Sequence, residues 1–111
     1  MRFDNIAQAA RCQNIFEEIR RSETQLRTWV QHERRLGQRL AAEKRQLSSL
    51  ETQSRQTGDV TGFADQIGRL RSDIAETERQ IELAERNQSD FENQIERAYS
   101  MARRAGCPNI A

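Results

Sequence analysis

Apolar or small residues recur at every seventh position through the second half of the chain. The series runs Val60, Ile67, Ile74, Ile81, Gln88, Ile95, Ala102. A companion series sits three residues on, at Phe63, Leu70, Thr77, Ala84, Phe91, Ala98 and Ala105. A 3-4 alternation sustained this far is the pattern of a helix with a narrow apolar seam. One helix cannot bury such a seam alone, so the rest of the chain must supply a partner.

The first half carries the same period. Its seam runs Cys12, Ile19, Leu26, Glu33, Leu40, Leu47, Ser54, with companions Ile15, Ser22, Trp29, Leu36, Glu43, Leu50. Glu33 and Glu43 interrupt it, and replacing Glu43 by Leu is expected to stabilise the fold. The break between the halves falls at Thr57-Gly58-Asp59. Gly58 suits the left-handed residue that ends a helix. Asp59 or Thr61 can cap the next helix, with Asp65 as a favourable first-turn charge. A connection this short forces the helices antiparallel.

The pattern therefore predicts an all-α fold, a long antiparallel helical hairpin of coiled-coil type that can dimerise into a four-helix bundle. The expected layout is one domain: a lead-in or helix extension over 1–11 capped by Asp4 or Asn5, helices over 12–56 and 61–106, a turn at 57–60 and a tail at 107–111. Folding about Gly58 and Asp59 pairs positions whose numbers sum to about 117. Leu50 then meets Ile67, Leu47 meets Leu70, and Leu36 meets Ile81. Leu26 meets Phe91, Ser22 meets Ile95, and Ile15 meets Ala102. Trp29 falls opposite Gln88, where its indole N–H can find an amide oxygen.

Composition agrees with a thin helical structure. Leu, Ile, Val and Phe number only 21 of 111 residues, too few for a compact globule with a sizeable core. Yet 18 basic and 17 acidic side chains nearly cancel, so the charge excess typical of disorder is missing. The single Pro is Pro108, which leaves long helices uninterrupted. No apolar run is long enough for a transmembrane helix, and no signal peptide is visible.

Cys12 opens the first seam and Cys107 follows the second, just past Gly106. In the hairpin register they lie at the same end, and Gly106 can let the chain turn Cys107 inward. A disulfide between them is expected, and it implies an oxidising compartment, periplasmic or secreted.

Little here supports catalysis, and no enzyme, metal or cofactor is expected. His32 is the only histidine and lies roughly 30 Å along a helix from Cys12, too far for a Cys-His pair. Adjacent carboxylates such as Glu17 and Glu18 sit on a solvated helix face. No glycine-rich phosphate loop precedes a helix. Arg20, Arg21, Arg27, Arg34 and Arg35 fall on heptad positions b and c and form a candidate stripe for an anionic partner. With net charge +1 and no interleaved aromatics, nucleic acid is the lesser expectation. Phe16 and Val30 sit at position e of the first helix and Tyr99 at e of the second. In an antiparallel pair e faces e, so these three make one candidate interaction flank, suited to a homodimer or another protein.

The ending Ala102-Arg103-Arg104-Ala105-Gly106-Cys107, after a Gln- and Arg-rich coil opened by a cysteine, resembles small envelope proteins of proteobacteria. That resemblance covers only these few residues and carries no function. The expected role is a non-catalytic structural or protein-interaction module of the bacterial envelope or periplasm. The alternatives are a cytoplasmic nucleic-acid-associated helical protein using the Arg stripe, and a secretion chaperone or adaptor that grips a partner at its tip.

Overall fold

The computed structural model describes residues 2–108, with side chains from residue 6 onward. Its elements are two helices, α1 (Arg2–Thr57) and α2 (Val60–Arg104), which run antiparallel as a hairpin. No strand occurs among the described residues. The backbone is already helical at Asp4 and Asn5, the expected capping positions, whose side chains fall outside the described set. The chain divides into two compact units: Met1–Val30 with Arg86–Ala111, and Gln31–Glu85.

In the first unit the core is Cys12, Ile15 and Ile19 of α1 against Ala98 and Ala102 of α2, together with Cys107. Phe16, Tyr99 and Ala105 pack onto it. Branched side chains on one helix meet alanines on the other, which keeps the layers evenly filled while the backbones approach. Ser22 is buried, and Leu26, Trp29, Gln88, Phe91 and Ile95 continue the seam half-buried.

In the second unit Leu36, Ser54, Leu70, Ile74, Thr77 and Ala84 are buried. Leu40, Leu47, Leu50, Phe63, Ile67 and Ile81 are half-buried. Val60 alone among the expected seam positions stands in solvent, 70 % exposed. The cause is geometric. In the hairpin register it falls opposite Thr57, where α1 ends, so no further turn of α1 covers it.

Side chains hold the turn. Gly58 takes φ 70°, the left-handed conformation that closes α1 without a Cβ penalty. The Thr57 hydroxyl donates back to the Gln53 carbonyl at 2.9 Å and accepts the Asp59 N–H at 3.3 Å. Asp59 then caps α2, its carboxylate accepting the Gly62 N–H at 2.8 Å. Asp65 lies beyond the first turn of α2, which contains no acidic residue, so its expected favourable charge at the helix start is absent.

Glu43 does not interrupt the seam in the way its charge suggests. Its side chain is only 12 % exposed, and one carboxylate oxygen accepts the Thr77 hydroxyl at 2.7 Å. The other faces Arg39 Nε, one turn back on α1, at 3.5 Å. Thr77 is itself 1 % exposed. The two helices thus share a polar layer in which the buried hydroxyl and the carboxylate each have a partner. Leucine at position 43 alone would take the acceptor from a buried hydroxyl, which offsets the gain in apolar area.

The Glu43–Thr77 layer should show strong coupling in urea denaturation. Thr77→Val alone leaves the carboxylate short of a donor and should cost about 1–3 kcal/mol. The double variant Glu43→Leu/Thr77→Val removes both partners and should be more stable than Thr77→Val. Strict additivity of the two single changes would show that the groups act independently.

Candidate functional site

The open end of the hairpin concentrates the distinctive chemistry. Helix α2 ends in a Schellman turn. Gly106 adopts φ 71°, its N–H reaches the Arg103 carbonyl at 3.1 Å, and the Cys107 N–H reaches the Ala102 carbonyl at 3.0 Å. This bonding fixes where the next residue goes: Cys107 is folded back over the last turn rather than continuing along the axis. Pro108 follows, a residue that cannot extend the helix.

Cys107 meets Cys12 there, and the two are joined as a disulfide with their Cα atoms 5.6 Å apart. Both residues are buried, at 4 % exposure for Cys12 and 8 % for Cys107. Gln8 completes the arrangement. It lies one heptad before Ile15, so it extends the seam into the stretch expected to be a lead-in. Its amide nitrogen donates to the Ala105 carbonyl at 2.7 Å and lies 3.2 Å from the Gly106 carbonyl. Both acceptors sit at the end of α2, where carbonyls have no intrahelical donor. A side chain of α1 therefore caps the C-terminus of α2.

The sequence signal for Gln8 was its heptad position, masked by its polarity. A polar residue on a seam reads as the seam's end unless a partner can be foreseen. Here the partner is backbone, which no side-chain pattern reveals.

The candidate interaction flank is only partly brought together. Phe16 and Tyr99 are half-buried against the disulfide cluster, so much of their apolar surface is already used. Val30 lies at the far end of the same unit and is exposed. Larger exposed apolar side chains lie off that flank: Ile6, Leu83 and Met101. A shallow depression beside the disulfide is lined by Ala9, Cys12, Phe16, Glu17 and Pro108, among others.

All five arginines of the candidate stripe are exposed. Arg20, Arg21 and Arg27 belong to the first unit and Arg34 and Arg35 to the second. His32 is exposed on α1. On α2, hydrogen bonds from Arg79 and then Gln80, with the Arg79 charge, hold the Glu76 carboxyl below its ordinary range. These are contacts within one exposed helical face. Among the described residues, no group of three or more His, Cys, Asp or Glu side chains is placed to hold a metal ion. No helix among them is long and apolar enough to cross a membrane.

Reduction should lower the melting temperature while leaving most of the helical circular dichroism intact. The disulfide closes a loop with a sequence separation of 95, and its loss removes about 4 kcal/mol of unfolded-state restriction. Gly106→Ala should destabilise the oxidised protein by about 1 kcal/mol or more, since a Cβ disfavours the left-handed backbone. An unchanged melting temperature in either experiment would contradict this account of the closed end.

No family model matches the chain, and neither the curated proteins nor the solved structures yield a match.

Proposed function

We propose that this chain is a non-catalytic protein-interaction module, a helical hairpin closed by a disulfide and working in an oxidising compartment such as the bacterial periplasm. The observation that carries this reading is the buried Cys12–Cys107 pair at the open end. A cross-link there restrains the part of a hairpin most prone to fray, and it persists only where thiols are not kept reduced. Paired helices with exposed side chains are suited to presenting those side chains to another protein. The exposed apolar residues Val30, Leu83 and Met101 are the side chains from which such a contact would draw its area.

Trapping thiols in the native host tests the compartment. Cells quenched in acid and alkylated should yield chains with neither cysteine modified, each gaining two labels only after reduction. Two alkylated cysteines without reduction would overturn the reading.

The simplest partner is a second copy of the chain, packed to give a four-helix bundle. Sedimentation equilibrium across a concentration series should then show a monomer–dimer equilibrium that Val30→Ser weakens. A monomer at every concentration removes self-association and leaves these side chains for a different protein.

A further inference from the structure

We propose that Gln8 is a positioning residue for the disulfide: it clamps the turn that carries Cys107, so that the two thiols are held together before they are oxidised. This rests on the disulfide-closed reading, which the thiol content of the wild-type chain tests by itself.

Four observations converge on the clamp. Cys107 is the residue immediately after the left-handed Gly106, so its direction is set by the Schellman bonds and by nothing further along the helix. Gln8 donates to the Ala105 and Gly106 carbonyls, the two peptide groups that flank that bend. The fit is close: a Cβ placed on Gly106 would lie 3.0 Å from the Gln8 amide nitrogen. Gln8 stands one helical turn before Cys12 on the same face of α1. One helix therefore presents the clamp and the acceptor cysteine together. A bend free to unwind would carry the Cys107 thiol away from Cys12. A bend tied at its carbonyls holds that thiol in place.

The chemistry is ordinary exchange. One thiolate attacks an oxidising disulfide such as oxidised glutathione and forms a mixed disulfide, releasing one reduced thiol. The second cysteine, as thiolate, then displaces the other thiol and closes the Cys12–Cys107 bond. The chain loses two electrons and two protons, and the oxidant becomes two thiols. Only the second step needs the cysteines to be adjacent. Its equilibrium scales with the fraction of reduced chains whose turn is closed. The clamp acts on that fraction.

The test is the equilibrium constant of the full chain against a glutathione redox buffer, read by alkylation and mass. Gln8→Met keeps the length and removes the donor; the constant should fall about three- to ten-fold, the range of one lost hydrogen bond. Gln8→Lys restores a donor suited to helix C-terminal carbonyls, and should recover most of the wild-type value. Helical circular dichroism of both reduced variants should match that of the reduced wild type, which separates positioning from loss of fold. A Gln8→Met constant equal to that of the wild type overturns the proposal. So does a Gln8→Lys constant as low as that of Gln8→Met. A wild-type chain that fails to oxidise in the buffer would instead remove the disulfide-closed reading itself.

Discussion

A helix with apolar side chains at only two of every seven positions gains little by folding alone. Its stripe is too narrow to form a core, and helices in proteins owe most of their stability to tertiary packing. Burial requires a second helix with the same period, brought alongside in register. In this chain that partner is the other half of the same molecule. The two-residue break at Gly58 and Asp59 is what makes the partner local. Intramolecular pairing avoids the entropy of bringing two chains together, and a short connection adds little loop entropy. Seam, turn and closed end all follow from this need to match one stripe to another.

Register is the price of a narrow seam, because a slip of one heptad still places apolar residues against apolar residues. Polar residues reduce that degeneracy. Glu43 finds a hydroxyl only where Thr77 is, and Thr77 is buried deeply enough to need an acceptor. A slip of seven would set the carboxylate against Leu70 or Ala84, neither of which can donate. Gln8 has the same character at the other unit's closed end, since its acceptors are carbonyls available only at a helix terminus. Polar positions within helical seams commonly trade stability for a unique pairing.

Much of this was legible from the residues alone. The seven-residue period implied two paired helices, Gly58 marked the break between them, and the register placed Cys12 beside Cys107, although α1 begins at Arg2 and α2 ends at Arg104 rather than at the expected 12 and 106. Period is a strong signal because each repeat tests the same hypothesis again. The sequence was less informative where one side chain answers to a single neighbour. Glu43 read as a flaw because its charge was visible and its acceptance of a hydrogen from Thr77 was not. Gln8 read as lead-in for the corresponding reason. Val60 fitted the period yet lies beyond the helix that would have covered it, so helix ends, which period does not resolve, decided its fate. For Phe16 and Tyr99 of the candidate interaction flank, heptad position gives direction but not the reach of an aromatic ring. Both rings fold onto the disulfide cluster.

The position of the second cysteine also has a physical reason. Packed helices usually keep their axes 8–10 Å apart, and with Cα atoms about 2.3 Å off each axis only residues that point at one another reach the 5.5–6 Å a disulfide asks for. Two cysteines in the middle of facing helices meet that distance only where both lie on the line of closest approach. This chain eases the demand twice. Alanines at 98 and 102 line the facing side of α2, so Ile15 and Ile19 can seat deeply against its backbone. Cys107 lies outside the helix, where a left-handed residue bends the chain toward α1 rather than along α2. The cross-link is thereby built from a turn and a helix. The turn contributes adjustable direction, and the helix contributes a fixed target. Such a junction depends on the turn being held, and this makes the backbone bonds of residues 102–107 and the Gln8 amide part of the disulfide's construction.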